Sequence, residues 1–436
     1  MTGSLTEYIK CVKQSVEQRD TLKFKWCITI NPGIEEGAAR SKYPEPNDFD
    51  LYPLPERVQD VVRSYLKLTK SVYINNNIEQ SFADLDEMVN KLNRFAETQT
   101  NWVNLALINA CTELISVHSV LKDSTSKQET KRASNGESTD GSSLEKLAST
   151  INKSFKLSLN DKNLDISQSK RRDIYIFLGY LIKIYFKLGK LELASSVEKA
   201  LHGTRFELPV IGPQMTSKRH VITYLYYSAI LALDRSDFKA AEEKLSQAMT
   251  LVSCYKKPKN VTKQIEKILL VLFPLRLLNK GVFPSRDAWE NVPNLRFLYL
   301  DNLFAAIKEG DLKKYTDSLE KFKTILLKNH IYILFIHLKS LCCLRIIKKA
   351  VVIVSEINSI DKPHIIPLSA LQIALTFSDT RAHDNSSSIG YDLDRVECVL
   401  ANLISSGRMK GYISHSNKCV VLSKTNAFPK LFANGY

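Results

Sequence analysis

The sequence predicts a mainly α-helical protein in which tetratricopeptide-like helical repeats are followed by a C-terminal winged helix. Three observations lead to this prediction. Hydrophobic residues recur with helical spacing along most of the 436 residues. A short frame of one small and two apolar residues occurs three times between residues 187 and 322. Near the C-terminus, two helical segments are followed by two short runs that suit β-strands, separated by a polar turn.

An N-terminal helical region is predicted over residues 1–121. Apolar residues with helical spacing follow residue 55, and they are Val58, Val61, Val62 and Leu66. Residues 105–121 form a second, strongly apolar helical segment. The stretch 32–55 carries five prolines, and we expect it to be a loop or an extended arm.

Residues 122–143 differ sharply from their surroundings in composition. This stretch is rich in Ser, Thr, Lys and Glu and has no large apolar residue. A segment that cannot bury apolar surface does not offset the entropy lost on folding. The sequence therefore predicts a disordered linker over residues 122–143.

Helical hairpins are predicted over residues 144–218 and helical repeats over residues 219–360. In the repeated frame the small residue ends one helix and the apolar residues anchor the next. Its three copies are Gly189–Leu191–Ala194, Ser236–Phe238–Ala241 and Gly310–Leu312–Tyr315. The copies are 47 and 74 residues apart, so the pattern indicates irregular helix–turn–helix stacking rather than an array of about 34 residues per repeat.

The winged helix is predicted over residues 361–425, with a C-terminal tail over 426–436. A helix within 360–377 and a polar loop precede a second helix over 392–407, which ends at Gly407. The strands contain Gly411–Ile413 and Cys419–Leu422, on either side of the turn sequence HSNK. The predicted core of this domain consists of Leu371, Leu375, Leu400, Leu403, Ile413, Val420 and Leu422.

The chain is strongly basic, and its last thirty residues are especially so. Lys and Arg number 61 against 46 Asp and Glu, which gives a net charge of +15. Between Gly407 and Tyr436 there are basic residues and no acidic one. The candidate nucleic-acid-binding residues are Arg408, Lys410, Lys418 and Lys424. The first three are expected to project outward toward the phosphates of RNA or DNA. The alternative is that these charges only solvate an exposed tail.

Catalytic signatures are missing from the sequence. It contains no phosphate-binding glycine loop, no G-x-G-x-x-G, no H-E-x-x-H and no G-x-S-x-G. Its eight histidines are dispersed and its eight cysteines form no C-x-x-C pair. We therefore assign no catalytic, cofactor-binding or metal-binding residue and expect neither a cofactor nor enzymatic activity. The scattered cysteines suit a reducing compartment, and we expect no membrane segment and a location in nucleus and cytoplasm.

Residues 398–431 resemble the C-terminus of PCI-domain proteins. The similar elements are the helix Leu400–Ile404, the wing residues Gly407 and Lys410–His415, the strand Val421–Lys424, and Phe428–Pro429. Within this family the segment is most similar to the branch that holds a signalosome subunit of budding yeasts and the PCI subunit of the nuclear mRNA-export complex. Two upstream stretches, 98–107 and 154–163, also resemble this branch, so the resemblance covers roughly residues 97–436.

The resemblance implies two alternative functions. The first is a non-catalytic scaffold subunit of a signalosome-type complex that regulates cullin deneddylation and the ubiquitin conjugation pathway, with other signalosome subunits as partners. The second is a nucleic-acid-binding adaptor in transcription-coupled mRNA processing or export. The resemblance also implies pairing with a second PCI-domain protein and with a small acidic disordered protein shared with the proteasome lid.

The acidic partner is expected on helical segments rich in Lys and aromatic residues. These segments are 171–190 and 219–227. Positive charge steers an acidic chain toward such a surface, and apolar pockets hold it there. The alternative is that Tyr180, Tyr224 and Tyr226 are core residues.

Overall fold

The computed structural model describes residues 3–129, 139–215, 217–255, 261–290, 292–357, 363–379 and 391–429. The chain forms two compact units, Met1–Tyr227 and Ser228–Tyr436. Both are built mainly from helices, and the second contains a small sheet beside its last helices. The predicted fold class, helical repeats followed by a winged helix, is confirmed.

The helices of the first unit are α1 (Leu5–Glu17), α2 (Thr21–Ile28), α3 (Ile34–Ser41), α4 (Asp48–Leu51), α5 (Glu56–Tyr73), α6 (Ile78–Ala96), α7 (Asn104–Glu129), α8 (Thr139–Leu159), α9 (Ile174–Lys187), α10 (Leu191–His202) and most of α11 (Lys218–Asp234). The second unit contains α12 (Phe238–Ser253), α13 (Thr262–Lys280), α14 (Arg286–Glu290), α15 (Pro293–Leu295), a π-helix (Arg296–Leu303), α16 (Phe304–Glu309), α17 (Leu312–Lys328), α18 (Tyr332–Ile357), β1 (Ile365–Pro367), α19 (Leu368–Asp379), α20 (Leu393–Ser405), β2 (Gly411–Ser414) and β3 (Cys419–Leu422). The second unit begins inside α11, whereas the predicted domain boundary lies at residue 219.

Two short helices, α3 and α4, occupy the proline-rich stretch 32–55. The prediction of a loop or an extended arm there was wrong. The prolines stand outside these helices, where a missing N–H group removes no helical hydrogen bond. Asn47 and Asp50 begin α4 with a reciprocal capping box, which replaces the hydrogen bonds that the first turn lacks.

A buried cation joins the helices of this N-terminal region. The guanidinium of Arg40 is fully buried and donates from Nη1 to the carbonyl oxygens of Trp26 and Cys27, each at 3.1 Å. The same nitrogen is 2.9 Å from the Tyr65 hydroxyl, and Glu36 Oε1 lies 3.4 Å from Nε. A buried charge is costly unless such partners surround it. Arg40 of α3 therefore connects this helix to α2 and α5 through hydrogen bonds.

The predicted linker 122–143 is helical at both ends. Helix α7 continues to Glu129 and α8 begins at Thr139, while residues 130–138 lie outside the described part of the chain. Adding polar residues to an existing helix costs much less than starting a new one. The apolar first half of α7 therefore supports a helical extension that composition alone does not predict.

One stretch in the described residues, Asn101–Ser124, has the length and mean hydropathy, 1.3, of a membrane span. Within the protein, 44% of that window is buried. Its buried face includes Leu107, Cys111 and Leu114, which share one side of α7 through their helical spacing. The core helix of a soluble protein has the same properties.

The repeated frame of the sequence is confirmed in the structure. Its small residues adopt the left-handed conformation that ends a helix, with φ of 70° at Gly189, 59° at Ser236 and 74° at Gly310. Helices α10, α12 and α17 begin two residues later. The third residues of the frame, Ala194, Ala241 and Tyr315, are fully buried.

Much of the stretch 171–190 is core rather than surface. Arg171 is fully buried, and Tyr175 stacks on Tyr224 with 5.6 Å between the ring centroids. Tyr224 is buried, as its interpretation as a core residue predicts, whereas Tyr180 and Tyr226 are half-buried. This stretch therefore offers less surface to an acidic chain than its composition indicates.

Candidate nucleic-acid interface

A three-stranded antiparallel sheet with strand order β1–β3–β2 contains the wing, which is the hairpin of β2 and β3. The hairpin of β2 and β3 was predicted, and β1, which pairs with the other side of β3, was not. In the register, Val420 of β3 lies between Ile366 of β1 and Ile413 of β2. Gly411 permits close approach of the hairpin strands, because a Cβ there would lie 2.3 Å from the Val421 carbonyl oxygen.

The predicted core of the winged helix is buried except at one position. The buried members are Leu371, Leu375, Leu400, Leu403, Val420 and Leu422. Ile413 is half-buried, because it lies on an edge strand that neighbours cover on one side only. Ile366 and Met409 also belong to this core and were missed. Both lie outside any run of alternating or helical hydrophobicity that would have identified them.

Three of the four predicted contact residues are exposed. Lys410, Lys418 and Lys424 project into solvent, and no ion pair holds their ammonium groups in the part of the chain that the structure describes. The backbones of Lys410 and Lys418 have fixed positions. The Lys410 N–H donates to the Ala427 carbonyl at 2.8 Å, and the Lys418 carbonyl accepts from the Leu368 N–H at 2.9 Å. The wing therefore presents Lys410 and Lys418 from a hydrogen-bonded frame, and Lys424 follows two residues after β3.

Arg408 does not project outward, so its prediction as an exposed contact residue is wrong. Its guanidinium is partly buried and donates from Nη2 to the Leu278 carbonyl at 3.2 Å. Nη1 donates to the Ser340 hydroxyl. Burial holds the pKa of Arg408 below its usual value, although arginine stays charged under ordinary conditions. This cation connects the start of the wing with α13 and α18.

Helix α20, which precedes the wing, carries acidic side chains on its first two turns. Asp394 is exposed, and Glu397 is half-buried. Both carboxylate oxygens of Glu397 lie 3.0 Å from Nδ1 of His415 in the wing turn. These carboxylates would repel a phosphate backbone. A nucleic acid would therefore meet the wing lysines rather than the beginning of α20.

More positive charge lies on α18, where Arg345, Lys348 and Lys349 share one side of the helix. Lys349 donates to the Glu309 carbonyl at 2.6 Å and Arg345 to the Lys308 carbonyl at 3.1 Å, so both bind the C-terminal end of α16. The Arg345–Lys348–Lys349 spacing was visible in the sequence and was missed.

Metal-binding clusters and reactive thiols are two common components of catalytic sites. Among the described residues, no group of three or more His, Cys, Asp and Glu side chains could hold a metal ion. The adjacent thiols on α18 are buried, and burial raises the pKa of Cys343 to about 11 and that of Cys342 still further above its usual value. A thiol in this state is protonated and therefore a poor nucleophile.

Comparison with known proteins agrees with this architecture. The PCI domain family matches residues 319–424, which include α18, α19, α20 and the wing. The chain is 60% identical to the "Protein CSN12 homolog" of Debaryomyces hansenii over 435 residues, 99% of each chain. It is 29% identical to the "COP9 signalosome complex subunit 12" of Eremothecium gossypii, over 78% of this chain and 80% of that protein. It is 27% identical to "PCI domain-containing protein 2" of Danio rerio over 98% of each chain. The chain therefore belongs to the CSN12 family of PCI-domain proteins.

Proposed function

We propose that this protein is a non-catalytic scaffold subunit of a signalosome-type complex that regulates cullin deneddylation and the ubiquitin conjugation pathway. The single observation that carries the proposal is the near full-length similarity to a CSN12 homologue. The name of the Eremothecium gossypii relative adds support. A helical array that ends in a winged helix suits a scaffold, because stacked helices expose long surfaces to several partners. The expected partners are other signalosome subunits and a second PCI-domain protein.

Affinity purification of the tagged full chain tests this function. We expect mass spectrometry to identify signalosome subunits, and we expect deletion of the gene to raise the fraction of cullin that carries its ubiquitin-like modifier. A purification without signalosome subunits, together with unchanged cullin modification, would contradict the proposal. Imaging of the tagged chain tests the proposed location in nucleus and cytoplasm.

The second candidate function is a nucleic-acid-binding adaptor in transcription-coupled mRNA processing or export, paired with a second PCI protein and a small acidic protein. The exposed Lys410, Lys418 and Lys424 support it, because exposed cations can contact the phosphates of a nucleic-acid backbone. Contacts of this kind supply affinity with little sequence preference. Binding of the purified, partnered complex to a labelled RNA and to a DNA duplex tests this function, and failure to bind either at low salt would exclude it.

A further inference from the structure

Two thiols of the N-terminal region face each other across the hairpin of α1 and α2. Cys11 lies in α1 and Cys27 in the last turn of α2, and their Sγ atoms are 3.7 Å apart. A disulfide bond is about 2.05 Å long, so the two sulfurs would need to approach by only about 1.7 Å. The two cysteines are 16 positions apart in the chain, and the helical hairpin brings them together.

Hydrogen bonds hold the backbone around this pair in place. The Tyr8 hydroxyl of α1 donates to the Cys27 carbonyl oxygen at 3.0 Å. The same carbonyl accepts from Nη1 of Arg40 at 3.1 Å. Lys23 of α2 donates from Nζ to Oε1 of Gln14 on α1, also at 3.1 Å. These contacts keep α1 and α2 in one alignment, so the two thiols stay close together in the folded chain.

The two thiols differ in their exposure. Cys11 is half-buried, whereas Cys27 is fully buried. A small molecule in solution therefore meets Cys11 before it can meet Cys27. The adjacent thiols Cys342 and Cys343 on α18 are both buried and lack this asymmetry. The exposure of the first pair suits one thiol that reacts with solvent and a second thiol that completes the reaction.

The surroundings of Cys27 suit the second of these roles. Burial and the neighbouring Cys11 raise the pKa of the Cys27 thiol above its usual value, while Arg40 and Ser15 act in the opposite direction. The contribution of Cys11 depends on its free thiol and is lost once that sulfur is bonded to another. Cys27 therefore stays protonated in the reduced protein and becomes easier to ionise after Cys11 has reacted.

We propose that Cys11 and Cys27 form a reversible disulfide by exchange with a low-molecular-weight disulfide such as oxidised glutathione. The Cys11 thiolate attacks one sulfur of oxidised glutathione, which forms a mixed disulfide and releases one glutathione thiolate. Cys27 then gives up its proton and attacks Sγ of Cys11. The second glutathione leaves as a thiolate and takes up a proton. Two protein thiols are thus oxidised, and one oxidised glutathione is reduced to two glutathione thiols.

This modification site is separate from the wing and does not depend on the proposed function. A reducing compartment keeps both thiols free, so the bond forms only when the surrounding glutathione becomes oxidised. The bond would join α1 to α2 beside the carbonyl oxygen that Tyr8 and Arg40 share. Oxidation would therefore restrain the helices that Arg40 connects.

Mass spectrometry of the folded full chain in glutathione buffers of increasing oxidised fraction tests the proposal. After alkylation of free thiols, trypsin places Cys11 in peptide 11–13 and Cys27 in peptide 26–40. We expect these two peptides to be linked, and we expect dithiothreitol to separate them. At the glutathione ratio that links half of the folded chain, the yield in urea should be about tenfold lower, because folding gives the two thiols a high effective concentration.

Three variants separate the two roles. Cys27→Ser should retain glutathione on Cys11, because no second thiol displaces it, and Cys11→Ser should leave the buried Cys27 unmodified. Cys398→Ser removes an exposed thiol on α20 and is the matched control, which should leave the yield of the linked peptide unchanged. The wild-type measurements need no variant to fold. The proposal is overturned if the folded wild-type chain gives no linked peptide, if urea does not lower its yield, or if wild-type Cys11 retains glutathione as fully as in Cys27→Ser.

Discussion

Nη2 of Arg408 donates to the main-chain carbonyl oxygen of Leu278, 3.2 Å away. Leu278 lies in the last turn of α13, whose final carbonyls have no partner within the helix. Arg408 therefore supplies a C-terminal cap from a residue 130 positions later in the chain. The bond connects the start of the wing to the helical repeats, and a positive charge is favourable at that end of a helix.

Replacement of Arg408 by Ala is expected to destabilise the protein. The change removes the donor to Leu278, and an unpaired buried acceptor costs about 1–3 kcal/mol. Urea unfolding followed by circular dichroism should show a lower midpoint. Lys410→Ala, which removes an exposed cation two residues away, is the control and should leave the midpoint unchanged. If both variants unfold alike, Arg408 does not cap α13.

The exposed lysines of the wing are expected to set the salt dependence of nucleic-acid binding. Each phosphate contact contributes about 0.9 to the slope of log K against log salt on duplex DNA, so losing three lowers the slope by about 2.7. The variant Lys410→Glu/Lys418→Glu/Lys424→Glu should show this reduced slope in a titration of the partnered complex. Lys239→Glu/Lys263→Glu/Lys328→Glu changes three other exposed lysines of the same unit and is the control. Equal slopes for the two triple variants would exclude the wing as the contact surface.

The packing of α20 can be tested at Leu403, which is 1% exposed. Leu403→Ala leaves a cavity and should cost about 2–5 kcal/mol. Asn402→Ala, at an exposed position on the same helix, should change stability by less than about 0.5 kcal/mol. Thermal unfolding of the two variants measures the difference. An unchanged melting temperature for Leu403→Ala would mean that α20 is not packed in this way.

His220 is expected to make the first unit less stable in mild acid. Its ring lies edge-on to Tyr180, with 4.6 Å between the centroids, and burial with the nearby Arg219 lowers its pKa from 6.5 to about 4. Between these values the unfolded chain binds a proton that the folded chain does not. Stability therefore falls as pH decreases from 6.5 toward 4.

The variant His220→Gln removes this titration and keeps a polar side chain. Its melting temperature should decrease less than that of the wild-type protein over the same pH range. A parallel decrease in both proteins would show that other groups cause the acid sensitivity.

The sequence predicted those elements that depend on residues close to one another in the chain. The hairpin of β2 and β3 was found because apolar and β-branched residues flank the polar turn at 415–418. Strand β1 was missed because it has three residues and ends in Pro367, which is unusual within a sheet. Only its pairing with β3 makes it a strand, and that pairing spans more than fifty residues.

The site was predicted less completely, because net charge does not tell where each cation lies. Arg408, Arg345 and Lys349 all count toward the charge of +15, yet each donates to a carbonyl at a helix end. Lys170 does the same for Ala96 at the end of α6, at 2.7 Å. Part of the positive charge therefore stabilises the fold. The carbonyl partners of these cations are distant in the sequence and are identified only by the structure.

The sheet order β1–β3–β2 has a consequence for how the winged helix folds. The β2–β3 hairpin closes a short turn and can form within microseconds, on the order of 1–10 µs for a typical hairpin. β1 joins β3 only after the chain containing α19 and α20 has closed into a long loop, which costs more entropy. Mutations at Ile413 should therefore slow folding, whereas mutations at Ile366 should mainly accelerate unfolding. The wing would thus be the nucleus of its domain, and β1 the strand that fixes it in place.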